Sequence, residues 1–170
     1  MSKLQGLKVK MNLKQYISIL INFKTEDKQK TINQLTVLIN ENDSTYSPLA
    51  LYFLIDNDLI DNQNTINSLF DELINGTSLD EEIKNLIIYK KGLFNSDFAS
   101  ESDLLEILNP IINSESIWSS HALYLMGEYF YSKNEKQKAK DFFEKTVLSV
   151  SGNSDIIIKA NKRLNRDLGE

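Results

Sequence analysis

An all-α protein built as a stack of helical hairpins is what this sequence predicts, on three observations. Apolar residues recur at helical spacing nearly throughout, and the intervals between them carry the short polar side chains that cap helices. Two prolines and six scattered glycines in 170 residues also leave little for β-turn chemistry. At 41% hydrophobic and 25% charged, a chain of this length buries a core as a single domain, residues 1–170, without disulfides or metals. The absence of cysteine excludes disulfide frameworks, zinc ribbons, thiol nucleophiles and Fe–S ligation, and one histidine leaves little for general-base or transition-metal chemistry. Neither a catalytic site nor a cofactor is expected.

Nine helices follow from the spacing. The first runs from about Lys3 to Asn22 with Leu4, Leu7, Met11, Leu13, Ile17, Leu20 and Ile21 expected inward. Thr25 is expected to cap a second helix, which carries Ile32, Leu35, Leu38 and Ile39 and stops at the polar stretch 40–44. These two form an N-terminal hairpin, 1–42. The third begins near Tyr46, with Pro48 in its first turn, where a missing N–H costs nothing, and ends at Asn57. The fourth, about Asp61 to Asn75, carries Ile66, Leu69, Phe70, Leu73 and Ile74 toward a left-handed stop at Asn75 and Gly76. A capping box at Ser78 and Glu81 opens the fifth, which reaches about Phe94. Ser100 and Asp103 open the sixth, which Pro110 should bend or end. The last three helices span about Ser116–Ser132, Glu135–Val150 and Asp155–Leu168. Helices of this length joined by short polar links favour antiparallel neighbours.

Charge is uneven. Residues 1–30 carry +5, residues 31–110 carry −11 and the remainder +1, for a net −5. The acidic middle repels duplex nucleic acid and attracts basic protein segments, and is equally a solvated helix face that keeps the chain soluble. The longest apolar run, 16–23, is interrupted by Ser18 and Asn22 and is too short to span a bilayer. No secretory signal peptide is recognisable either.

Residues 120–153 fit a 34-residue helix–turn–helix unit position by position. Leu123 stands at the first bulky position, Met126 and Gly127 fill a leucine–glycine pair, and Phe130 takes a tyrosine position; Ala139 is the small residue of the second helix, with Phe143 four residues on. Gly127 and Ala139 let the two helices approach while Phe130 and Phe143 fill the surrounding space. The unit resembles a tetratricopeptide repeat. It departs from that pattern at Leu123, where tryptophan is usual, at Thr146, a small position, and at Ser151, usually proline. Tyr46, Leu49, Ala50 and Phe53 repeat the first-helix signature, with Thr65 and Leu69 displaced by a longer turn, so 46–153 reads as degenerate-to-clear repeats and 154–170 as a capping helix. The fold expected is a tetratricopeptide-like solenoid of about four hairpins plus that cap.

The resemblance implies a concave groove lined by His121, Tyr124, Glu128, Tyr131 and Ser132, which can hold a peptide through aromatic faces, a carboxylate and a titratable donor. An exposed helix face is the simpler alternative. The corresponding earlier row is Ser44, Ser47, Leu51, Leu54 and Ile55, suited to a peptide or to burial. Taken over 46–168, with Ile117, Trp118, the stretch 122–127 and the stretch 138–143, the chain resembles the tetratricopeptide-like domain of the ancillary Sec-translocon subunit family (YfgM-like). That resemblance implies a bacterial envelope scaffold, membrane-anchored in the periplasm where an upstream anchor exists, whose partners are translocon components or exported proteins.

Other readings remain open. Trp118 reads either as core under the preceding loop or as a ligand anchor. Asp80, Glu81 and Glu82 read as first-turn acids favoured by the helix dipole or as the acids of a small hydrolase. The basic first helix suits an anionic membrane or the start of a solenoid. Self-association, as in an assembly or cell-division coordinator, is the alternative within the binding class.

Overall fold

The computed structural model describes residues 3–25, 27–150 and 152–169, and these form nine helices and no strand. The helices group into two compact units, Met1–Leu79 and Asp80–Glu170.

The first unit contains α1 (Lys3–Asn22), α2 (Lys28–Asn40), α3 (Tyr46–Asp56) and α4 (Gln63–Gly76). Helices α2 and α3 form an antiparallel hairpin against which α1 and α4 pack. Leu35, Leu38, Ile39, Ala50, Leu51, Leu54, Ile66, Phe70 and Leu73 make its core. The α2–α3 turn shows how short polar residues stop a helix and start the next one. Asp43 Oδ1 accepts from the amides of Thr45 and Tyr46 at 2.9 and 2.8 Å. The amide of Asp43 in turn donates to Ser47 Oγ at 2.9 Å, and that buried hydroxyl donates to the Leu38 carbonyl at 2.7 Å. Ser47, Leu51 and Leu54 are therefore buried, so the earlier row serves packing; Ser44 is exposed and Ile55 half-exposed.

Helix α1 has the expected bounds and the opposite orientation. Asn12 and Ile19 are buried, at 4% and 3% exposure, whereas Leu4, Met11 and Ile21 are 81%, 69% and 73% exposed and Leu7, Leu13, Ile17 and Leu20 also face out. Polar and aromatic contacts set this rotation. Asn12 Nδ2 donates to Asp43 Oδ2 at 3.2 Å, Lys8 pairs with Glu41 at 3.0 Å, the Tyr16 and Tyr46 rings lie 6.0 Å apart, and Phe23 meets Phe53 edge-on at 5.0 Å.

Three caps differ from the sequence reading. Asp27, not Thr25, caps α2, because its carboxylate reaches the amide of Lys30. Gly76 closes α4 without a left-handed φ, and the following Thr77 donates its hydroxyl to Asn42 Oδ1 at 3.1 Å instead. The next helix starts after Asp80 rather than Ser78, so the expected capping box is not formed.

The second unit holds α5 (Glu81–Asn95), α6 (Glu101–Ile112), α7 (Ser119–Ser132), α8 (Lys136–Val147) and α9 (Ser154–Arg166). Ser100 caps α6 as expected, accepting from the Asp103 amide. Pro110 lies within the last turn of α6, which still reaches Ile112, since only one amide donor is lost so close to the end. Gly92 of α5 faces Leu108 of α6, and Gly127 of α7 faces Phe143 of α8. Ala122, Met126, Phe130, Ala139 and Phe143 are fully buried around the second contact, and Leu123 nearly so. The turn between α7 and α8 closes through Asn134 at φ 62°, with the amides of Asn134 and Glu135 donating to the Tyr131 and Phe130 carbonyls. Asn153 then caps α9, whose Ala160 is buried. Ser151 lies outside the described residues.

Long-range side-chain hydrogen bonds span 30 to 37 residues, and five residue pairs fall at 33–35. Lys8 to Glu41, Thr77 to Asn42, Ser116 to Glu82, Asn153 to Ser120 and Arg163 to Glu128 join residues 33, 35, 34, 33 and 35 apart. A helical-hairpin repeat produces this spacing, because each position meets its equivalent one repeat later.

A Cβ built on Gly127 would lie 2.5 Å from Cε1 of the buried Phe143 ring. Gly127→Ala is therefore expected to destabilise the protein, since ~1–3 kcal/mol of overpacking exceeds the ~1 kcal/mol that alanine gains over glycine in helix propensity. A urea midpoint that stays or rises would show that Phe143 moves aside freely.

Candidate functional site

The row His121, Tyr124, Glu128, Tyr131 and Ser132 lies along α7; the first four are half-exposed and Ser132 is exposed. Helical spacing brings these residues to one side while Leu123, Met126, Gly127 and Phe130 are turned into the α7–α8 core. The structure divides the row in two.

At its C-terminal end the row holds α9. Arg163 donates from Nε and Nη2 to the two Glu128 oxygens at 2.8 and 2.7 Å, a two-bond fork. Its third nitrogen, Nη1, reaches Asp167 at 2.8 Å, and its guanidinium lies 4.7 Å from the centre of the Tyr131 ring. Asp167 is held well below the usual carboxylate range by hydrogen bonds from Arg166 and Arg163. Ser132 donates to the Tyr129 carbonyl at 2.7 Å.

At its N-terminal end the row meets α5. Tyr89 stacks on Trp118 with ring centres 5.8 Å apart and planes 19° from parallel. The His121 ring lies 5.0 Å from Trp118 and 5.6 Å from Tyr89. Trp118 is half-buried, and with Ile117, His121 and Asn153 it lines a depression of about 340 Å³. Burial lowers the His121 pKa; the Ile117 carbonyl opposes that shift and Lys159 adds to it. Nδ1 of His121 is buried without a hydrogen bond of good geometry. Tyr124 sits between the two ends, 5.4 Å from Phe143, its pKa pushed up to about 12 by burial and then by Glu128.

Tyr89, Asn153 and Arg163 were not legible in the sequence as parts of this face. For Arg163 a signal existed, its 35-residue offset from Glu128, close to one repeat. The acids Asp80, Glu81 and Glu82 are exposed, and Glu82 accepts from Ser116 Oγ at 2.8 Å. Among the described residues no cluster of three His, Cys, Asp or Glu could hold a metal ion. No helix among them is long and apolar enough to cross a membrane.

The fold and this face define an all-helical protein of packed hairpins with an aromatic corner on α7. No protein-family model matches the chain, and comparison with curated proteins and with solved structures gives no match.

Removing the Glu128 fork by Arg163→Ala should cost about 1 kcal/mol, as expected of a partly exposed pair, and speed amide exchange in α9 more than in α8; equal exchange in both would refute the docking role. The raised pKa values of Tyr124 and Tyr52, each about 12, carry a definite sign. Their stabilisation is complete below the ordinary tyrosine pKa of 10 and is lost as pH rises from 10 through 12, because the unfolded chain releases those protons first. Alkaline unfolding followed by circular dichroism should shift to lower pH when urea is raised, and Tyr124→Phe should flatten the slope.

Proposed function

We propose that this protein is a non-catalytic interaction scaffold of tetratricopeptide-like hairpins. In this reading it binds an extended segment of another protein at the corner formed by Tyr89, Trp118 and His121, with Tyr124 beside it. The observation that carries it is that corner: Trp118 and His121 line a depression, Tyr89 packs against both rings, and Glu128 and Tyr131 further along the row are occupied by Arg163. Half-buried Trp and Tyr supply large contact area at low entropic cost and are the residues on which binding energy concentrates. His121 adds a polar group that can orient a peptide, and burial disfavours its charged form. Five hydrogen-bonded pairs that span 33–35 residues support the repeat class, whose period is about 34 residues. The resemblance to the ancillary Sec-translocon subunit family supports an exported or translocating polypeptide as partner, in the bacterial envelope.

Trp118 is the only tryptophan, so its fluorescence reports on this corner alone. Titration with a tryptophan-free, permanently unfolded polypeptide should give a saturable change in Trp118 emission. Tyr89→Ala should weaken the binding by at least ~1 kcal/mol, roughly fivefold. Binding that leaves the emission unchanged, or that Tyr89→Ala leaves intact, would remove the corner as the site.

A further inference from the structure

The outward face of α1 is a second surface, independent of the α7 corner. Its ridge runs Leu7, Lys10, Lys14, Ile17 and Ile21 at alternating three- and four-residue steps, the spacing of a helix–helix seam. Leu4, Met11, Leu13 and Leu20 widen the apolar band, and every one of these side chains is exposed. Lys10 and Lys14 are exposed at the middle of the seam, and α1 carries no acidic residue. The helix cannot simply roll this face inward, because Asn12, Lys8, Tyr16 and Ile19 are fixed to the rest of the first unit.

The position of the two lysines selects the occupant. A helix lying in a bilayer surface separates its charges from its apolar face, whereas here the charges sit inside the apolar seam. Pairing of α1 with α1 of a second copy is disfavoured for the same reason. An antiparallel α1 pair with matched apolar residues sets Lys10 against Lys14, a parallel pair sets each lysine against itself, and like charges opposed in a seam repel. On the exposed side of α9, Lys159, Lys162 and Arg166 repel the lysines of α1 of another copy. A complementary partner presents carboxylates at the central positions of an otherwise apolar helix.

The geometry points to the outward face of α1 as a docking site for an amphipathic helix of another protein with acidic residues at the middle of its apolar seam. The test uses the full chain and two labelled 21-residue helical peptides, identical except for glutamate or lysine at the two central seam positions, read by fluorescence anisotropy. The glutamate peptide should bind at least tenfold more tightly, and the double variant Lys10→Glu, Lys14→Glu should reverse the preference. Both substitutions are at exposed positions, so an unchanged melting curve confirms that the variant is folded. Equal affinity for the two peptides, or none for either, overturns the proposal. So does binding to phosphatidylglycerol vesicles without peptide binding, which makes the occupant a bilayer. A dimer in sedimentation velocity that Leu7→Ser with Met11→Ser abolishes would make it a second copy, and also overturns the proposal. Trp118 emission plays no part in these readings, so the corner and the α1 face fail or stand separately.

Discussion

The approach of α7 to α8 at Gly127 is the constraint on which the second unit depends. With no side chain at that position, the Phe143 ring fills the space directly against the α7 backbone, and Ala139 keeps the second helix equally close. A close pair of helices has few ways to arrange its large residues. Phe130, Met126 and Leu123 go inward, which leaves His121, Tyr124, Glu128 and Tyr131 as the remaining side of α7. The same residue that permits the core contact therefore decides which side chains can meet a neighbour or a ligand.

That remaining side is shared between structure and recognition. Glu128 and Tyr131 meet the Arg163 guanidinium, and Asp167 holds the same arginine from α9 itself. One cation thus ties three side chains together, and its planar fork suits the carboxylate better than a lysine would. The aromatic residues at the other end have no such partner charge. They pack on one another, so the corner is formed before anything binds, which lowers the entropic cost of association.

The first unit handles its surface differently. Its α2–α3 turn is fixed by Asp43 and Ser47, and Asp43 also reaches Asn12 of α1. A helix anchored through asparagine, lysine and tyrosine leaves its aliphatic residues outside. The last helix of the second unit does the reverse, burying Ala160 and showing lysines to water.

By itself the sequence determined the helices among the described residues, most of their bounds within a few residues, and which side chains of α7 and α8 turn into their shared core. These follow from period, cap chemistry and the few small residues, which are local properties. Only the tertiary structure decided which face of α1 is buried, because apolar residues occur around much of that helix and the choice fell to Asn12 with Asp43 and Lys8 with Glu41. It also decided that Asp27 rather than Thr25 caps α2, and that half of the α7 row is taken by Arg163 while Tyr89 completes the other half. Each of these depends on a partner some 30 or more residues away or on competition between adjacent caps, and helical periodicity carries no information about either.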